Sequence, residues 1–355
     1  MKSGLPFTLW FEELLPAHVS QTGKKALSMA GMRRTGLRVP PGFAVTVEAW
    51  EYLMSETGLG GRIRTYLGSF GEENLKDLHY AEEAGNHVRK LFDATSLPGM
   101  LRTQLWEDYE RLSDIARITA VPVAVRSSGT ISRPGLFSSF LNVSGKDALE
   151  KRLMACWASA YSPRALAMRS RERLSLAFEP IGVVICQFIP ARSAGVLFTA
   201  HPMTGNPNRC VIEASWGLGE SVVQASVTPD RFTVNRTTLE IEKRNVQTKL
   251  NQMIAKGDGT EVVSIPESLQ EFPSLSDDEI VFLIGLAEKV ETFFGGTPQD
   301  IEWAVSQDYS FPDNIFLLQS RPIVGVKQVA KGIEKPEGMS DPDHIAELMV
   351  DRLFG

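Results

Sequence analysis

Only three cysteines, Cys156, Cys186 and Cys210, occur among the 355 residues, and no two of them form a CxxC pair. The sequence therefore offers neither a disulfide framework nor a thiolate cluster, and buried, reduced thiols in a cytoplasmic protein are expected. A basic excess is also missing. Lys and Arg total 37 against 43 Asp and Glu, a formal charge of -6 that gives no electrostatic case for a nucleic-acid partner. No apolar run reaches the length of a membrane helix. Met1 to Pro16 places acidic residues after a short apolar run and has no small-residue cleavage site, unlike a secretory signal. No internal period suggests a repeat array. What remains is an ordinary globular composition, 43% hydrophobic and 23% charged, long enough for one large domain or two lobes with real cores.

The order of elements reads as mixed α+β. Ala26 to Met32 suit a helix that Gly36 stops, and Val39-Pro40-Pro41-Gly42-Phe43 must be extended because proline fixes φ and biases its predecessor. Thr46 is placed to cap a helix holding Ala49, Trp50 and Leu53. Residues 58–116 and 146–176 read as helical, and Ser276 caps a helix reaching Phe294. Strands are expected at 121–125, 140–143, 181–189, 195–199, 210–214, 231–235, 239–243, 300–305 and 315–320. After Pro322 the chain turns polar and punctuated. It ends in a segment whose Ile345, Leu348, Met349 and Leu353 fall at helical spacing.

Four stretches hold polar residues that a core would not place there. Thr22-Gly23-Lys24-Lys25 stands at a helix start, where backbone amides and a lysine favour an anion; a solvated surface lysine is the plainer alternative. Arg126 ends an apolar strand and leads into a Ser/Gly-rich loop through Gly135 to Ser139. That is a combination suited to phosphates, although a serine-rich turn has the same composition. Gly195 to Pro202 is followed by Val211 to Glu220, in which Glu213 and Gly217-Leu218-Gly219-Glu220 put carboxylates at an element's end. His201, alone before a proline, is expected to be a structural hydrogen-bonder. Lastly, strand alternation sets Asp300 and Glu302 on one face, and Gln319 and Arg321 on one face. If the two strands pair, carboxylates, an amide and a guanidinium converge, the set needed for magnesium and triphosphate oxygens; a surface cross-strand ion pair is the alternative.

Together these stretches resemble the amino-terminal ATP-grasp domain of phosphoenolpyruvate synthase, pyruvate phosphate dikinase and rifampicin phosphotransferase, from about Gly23 to Ile323. The family's Gly-Gly-Lys opening and Val-Pro-x-Gly-Phe appear as Gly23-Lys24-Lys25 and Val39 to Phe43, with Lys24 replacing the second glycine. Val-Arg-Ser-Ser matches Val125 to Ser128. Pro134 to Asn142 is similar to the family's Pro-Gly-Met-Met-Asp-Thr-x-Leu-Asn, with Ser138 and Ser139 in place of Asp-Thr. Phe198 to Gly205, Gly217 to Glu220 and Thr228-Pro229-Asp230-Arg231 are further family signatures. The resemblance implies an ATP-grasp fold, two lobes with the nucleotide in the cleft between them. The lobes are expected at 1–189 and 190–323, with a linker and short amphipathic helix at 324–355. It implies ATP and Mg2+ as cofactors. Lys25, Arg126 and Arg321 would neutralise transferring charge, Gly135, Ser139, Gln187 and Glu213 would contact ATP, and Glu302 and Gln319 would hold magnesium.

In the family the phosphoryl group travels on a histidine within Gly-Gly-x-x-Ser/Thr-His. None of His18, His79, His87, His201 or His344 has that context, and the chain has no room for a pyruvate-binding barrel. The resemblance thus implies a partner subunit or domain carrying the histidine and a small-molecule acceptor bound by that partner, with no nucleic acid and no membrane. The start at Met1 and the helical end near Phe354 favour a natural subunit over a piece of a longer chain. Phenylphosphate synthase, which is divided in this way, is one family relative of this kind, and a split phosphoenolpyruvate synthase is another. A degenerate ATP-binding regulatory module and the isolated ATP-binding domain of an antibiotic phosphotransferase are the rivals.

Overall fold

The computed structural model describes residues 6–70, 74–130, 136–176 and 180–323, so Gly135 and the expected helix in 324–355 lie outside the described residues. The chain divides into two compact units, Met1–Leu27 with Pro41–Phe188, and Ser28–Pro40 with Ile189 onward. Helix α1 (Val19–Arg34) begins in the first unit and ends in the second.

The first unit is a five-stranded antiparallel sheet backed by helices. β1 (Thr8–Trp10), β2 (Gly42–Val45), β3 (Val123–Ser128), β4 (Ser139–Val143) and β5 (Gly182–Gln187) lie in the order β1-β2-β5-β3-β4. Period-2 alternation sends Val123, Val125, Val183 and Ile185 into a core with Leu53, Leu101, Leu153 and Trp157. The core helices are α2 (Val47–Glu56), α3 (Leu59–Gly68), α4 (Leu78–Asp93), α5 (Gly99–Ala116), α6 (Lys146–Ala158) and α7 (Pro163–Arg171). The long helical region expected over 146–176 is thus broken. Pro163 cannot continue α6, and it instead starts α7 behind the Ser162 cap, whose side chain accepts from Ala165 N. Thr46 does occupy the N-cap of α2 but spends its hydroxyl elsewhere, donating to Pro6 O at 2.9 Å. Short β1 is tied to α5 by buried Asp108, which accepts from Thr8 Oγ1 at 2.5 Å and Trp10 Nε1 at 2.7 Å.

The second unit contains β6 (Ala191–Phe198), β7 (Arg209–Trp216), α8 (Glu220–Val223), β8 (Asp230–Asn235), β9 (Ile241–Asn245), β10 (Asn251–Lys256), β11 (Gly259–Ser264), α9 (Glu267–Gln270), α10 (Asp277–Phe293), β12 (Gln299–Ser306) and β13 (Ile315–Pro322). Six strands form an antiparallel sheet in the order β13-β12-β6-β7-β8-β9, and β10 and β11 form a separate hairpin. β9 starts later than expected because Leu239, at φ 60, closes a turn by donating its N–H to Asn235 O. Ser276 caps α10 in a reciprocal box with Glu279. The row Ser320, Ile301, Leu197, Ile212, Phe232 runs across the sheet and is buried, and α10 packs against β12. The segment 28–40 belongs to this unit. Leu317 N donates to Arg38 O at 2.9 Å, the Arg38 guanidinium lies 4.6 Å from the ring centroids of both Tyr309 and Phe316, and Arg38 Nη1 is 3.3 Å from Asp313. Among the described residues, no helix is long and apolar enough to cross a membrane.

Candidate functional site

In the first unit, α1 is interrupted at Gly23, whose φ of 76° and ψ of 169° are open only to glycine. A Cβ there would lie 2.1 Å from Ser128 O, so glycine is required by space as well as by conformation. Lys24 N donates to Gly129 O at 3.0 Å, and Ala26 N donates to Ser128 Oγ at 3.2 Å. Gly182, the cross-strand partner of Ser128, likewise has no room for a Cβ against the Thr22 backbone. The turn before Lys24 and Lys25 is therefore seated on the end of the β3–β5 pair, and the helix restarts there with its amide-rich end beside the Ser-Ser-Gly loop.

Arg126 occupies the β3 face opposite the helical core, across from Val184 on β5 and Ser139 on β4. Ala124 on that same face opposes Cys186. Burial pushes the Cys186 thiol up to about 11, while the charges of Arg126 and Lys25 pull it the other way, so both cations lie within electrostatic range of one sulfur. Burial also lowers the Lys24 ammonium from its ordinary value. Gln187, at the end of β5, donates its backbone N–H to Pro41 O at 2.9 Å.

In the second unit, β12 and β13 pair, with Asp300 opposite Arg321 and Glu302 opposite Gln319. Arg321 Nε donates to Asp300 Oδ2 at 2.8 Å, and its Nη2 is also 2.8 Å from that oxygen. Burial raises the Asp300 carboxyl above the ordinary carboxylate range; Arg321 opposes the rise and neighbouring Glu302 adds to it. The polar row continues from Gln319 and Glu302 through Val196 to Glu213 and Arg231, whose guanidinium is 3.7 Å from the Glu213 carboxylate. Among the described residues, Asp300 Oδ1 and Gln319 Oε1 are buried and accept no hydrogen bond. Orphaned acceptors of this kind cost about 1–3 kcal/mol each unless something supplies a cation or a donor. No group of three or more His, Cys, Asp or Glu side chains is gathered as a cage among the described residues. A carboxylate with an amide oxygen is nonetheless the hard-oxygen donor set that Mg2+ accepts when phosphates complete its shell.

Two signature motifs have structural partners. His201 Nδ1 accepts from the backbone N–H groups of Met203 and Thr204, both at 3.3 Å, and so shapes its own loop. Asp230 is wholly buried and accepts from Lys249 Nζ at 2.6 Å, Gln247 N at 2.9 Å, and Ser274 N and Oγ at 2.8 Å each. Neither Lys249 nor Ser274 stands in a recognisable motif, and a lysine between Thr248 and Leu250 gives no sign in sequence that it is buried.

The sequence matches the family model for the pyruvate phosphate dikinase AMP/ATP-binding domain over residues 19–340. It is similar to the phosphoenolpyruvate synthase of Aeropyrum pernix, 35% identical over 348 residues that cover 88% of this chain and 42% of the relative. A probable phosphoenolpyruvate synthase of Methanocaldococcus jannaschii is 34% identical over 334 residues, 92% of this chain and 27% of the relative. The phosphoenolpyruvate synthase of Pyrococcus furiosus is 30% identical over 373 residues, covering 93% and 45% respectively. The chain thus spans less than half the length of each of these relatives.

Proposed function

Because the chain belongs to the family of pyruvate phosphate dikinase AMP/ATP-binding domains, an ATP-grasp type of fold, we propose that it binds ATP with Mg2+ and donates a phosphoryl group to a histidine carried by a partner subunit or domain. The observation that carries the proposal is the pairing of Asp300 with Arg321 and of Glu302 with Gln319, leaving two buried acceptors without donors on one face. Lys25 and Arg126 contact the triphosphate, together with Gly135 and Ser139, which follow Arg126 in the sequence. Gln187 and Glu213 contact the nucleoside. Glu302 and Gln319 would hold Mg2+, which when bound would neutralise phosphate charge. Arg321, oriented by Asp300, faces the transferring group. The chain's own contribution is position and charge, so it needs no nucleophile. A nitrogen of the partner's imidazole attacks the β-phosphorus, and the bond from that phosphorus to the AMP oxygen breaks. Water then cleaves the outer phosphate from the transferred pyrophosphoryl group, and the partner passes the remaining phosphoryl group to a small acceptor such as pyruvate or phenol. AMP and phosphate are the products of the complete cycle. The partner assignment is supported by the relatives' greater length and by the lack of a Gly-Gly-x-x-Ser/Thr-His context among the histidines of this sequence.

Calorimetry of Mg-ATP binding tests the reading, together with transfer of labelled phosphate to a histidine-bearing fragment from a relative. Arg126→Ala and Lys25→Ala should each weaken binding or slow transfer roughly tenfold to a hundredfold, from about 1.5–3 kcal/mol per charge-assisted contact. Arg126→Lys should fail nearly as badly, because lysine cannot reproduce the fork, and Lys24→Ala should do less harm than Lys25→Ala. A parent chain that does not bind Mg-ATP refutes the reading. Binding without any transfer favours a regulatory module instead.

A further inference from the structure

Strand β13 is the edge of the six-stranded sheet, and its pairing with β12 is broken by an irregularity between Glu302 and Trp303. Opposite Trp303 stands Leu317, while opposite Glu302 stands Gln319, so Leu318 is an extra residue. Beyond this bulge only Gln299 to Glu302 pair with Gln319 to Pro322. Four residue pairs at the end of an edge strand, continued by the Ile323 N–H donating to Pro298 O at 2.9 Å, are a limited hold on register. A slip of one residue would exchange the two faces and turn Gln319 and Arg321 toward the buried side.

On the reverse of that same segment lies a closed set of buried side chains. Ser320 Oγ donates to Gln299 Oε1 at 2.8 Å, and Gln299 Nε2 donates to Thr297 O at 2.9 Å. Thr199 Oγ1 accepts from Gln299 N at 2.8 Å, and Thr199 N donates to Gln299 O at 2.9 Å. Ser28 Oγ donates to the Ser320 carbonyl at 2.9 Å. Thr199 and Gln299 are fully buried, and Ser28 and Ser320 nearly so. Gln299 adjoins Asp300, the partner of Arg321, and Ser320 lies between Gln319 and Arg321, so the set ties down the two strands immediately beside the proposed ligand-binding side chains.

We infer that the Gln299–Ser320 pair, anchored by Thr199 and Ser28, is a register lock that positions Glu302, Gln319 and Arg321 for Mg-ATP. Both residues are positioning residues that act through the strand and touch no ligand. The inference rests on the functional reading above for what is positioned, and on geometry alone for the lock. A slipped register cannot satisfy the lock, because Ser320 would then face away from Gln299 and a buried amide would lose its donor.

The experiment compares the full chain with Ser320→Ala, Ser320→Thr and Gln299→Leu by hydrogen exchange, by thermal melting and by calorimetric ATP binding over a range of Mg2+ concentrations. Amide protection at residues 299–302 and 319–321 should fall in Ser320→Ala, with exchange at least about tenfold faster, while 303–305 and 315–317 stay protected. The Mg2+ concentration for half-maximal ATP binding should rise roughly tenfold to a hundredfold, the usual effect of losing an outer hydrogen-bond partner of a metal site. Ser320→Thr, which keeps the hydroxyl, should restore both. Unchanged exchange in Ser320→Ala overturns the lock, as does a lower melting temperature with the parent's Mg2+ requirement. Should Gln299→Leu fail to fold, the two Ser320 variants decide the question. A parent that does not bind Mg-ATP yet shows the exchange pattern leaves the lock standing and refutes the functional reading alone.

Discussion

Asp230 belongs to a family signature, yet its contacts assign it to the interior, and removing it should cost stability. Its carboxylate accepts four hydrogen bonds, and the Lys249 ammonium beside it is equally buried, with Gln247 O at 2.7 Å as a further acceptor. Asp230→Ala would strand that ammonium and the backbone N–H groups of Gln247 and Ser274. Breaking one side of a buried pair costs about 3–5 kcal/mol. At roughly 2–4 °C per kcal/mol for a body of this size, the melting transition of the second unit should fall by about 6–20 °C. The double variant Asp230→Leu with Lys249→Met should recover part of the loss, because the isolated charge goes while the two orphaned amides remain. Differential scanning calorimetry of the parent and these variants measures this directly. An Asp230→Ala chain that melts with the parent, or a double variant less stable than the single one, would refute the reasoning.

Two further outcomes are expected. Gly23→Ala should reduce ATP binding by at least about tenfold with most of the fold retained, since the added methyl meets Ser128 O and the required φ is positive, a local cost of about 1–3 kcal/mol at the proposed phosphate turn; calorimetry beside circular dichroism checks it. Burial pushes the Cys156 and Cys210 thiols up to about 12 and Cys186 to about 11, so near pH 8 all three should resist a thiol-specific chromogenic reagent until denaturant is added. Prompt reaction of even one thiol in the native chain would contradict that expectation.

What sequence could reveal depended on whether a local rule governed the residue. The shared faces of Asp300 with Glu302 and of Gln319 with Arg321 were legible because a strand's side-chain period is two, whereas the register that sets Asp300 opposite Arg321 and Glu302 opposite Gln319 comes from the structure. Ser276 was legible as a cap because Glu279 completes its box. The β10–β11 hairpin went unread, although Gly257-Asp258 between β-prone runs is a recognised two-residue turn signal. Its strands are too exposed and polar to show an apolar alternation. The bulge at Leu318, the burial of Lys249 and the use of Thr46 to hold the Pro6 carbonyl are set by partners distant in sequence, and no nearby residue announces them.

The interleaving of the two units also has a bearing on how the protein is made. Ser28–Pro40 leaves the ribosome before residues 41–188, but its partners Asp313, Phe316 and Leu317 come near the end of the described chain. The middle stretch alone, roughly 150 residues at about 5–20 residues per second, delays the start of the second unit's remainder by on the order of ten seconds. During that time a short segment with Arg38 near its end has no sheet to join, and only at the close of the interval does the first unit have all its strands. A gene cut at Phe188 would therefore not separate the units, since the downstream piece would lack Ser28–Pro40 and the upstream piece would keep it without its partner strand. An intact second unit made alone would need that segment supplied again, either grafted ahead of Ile189 or added as a peptide.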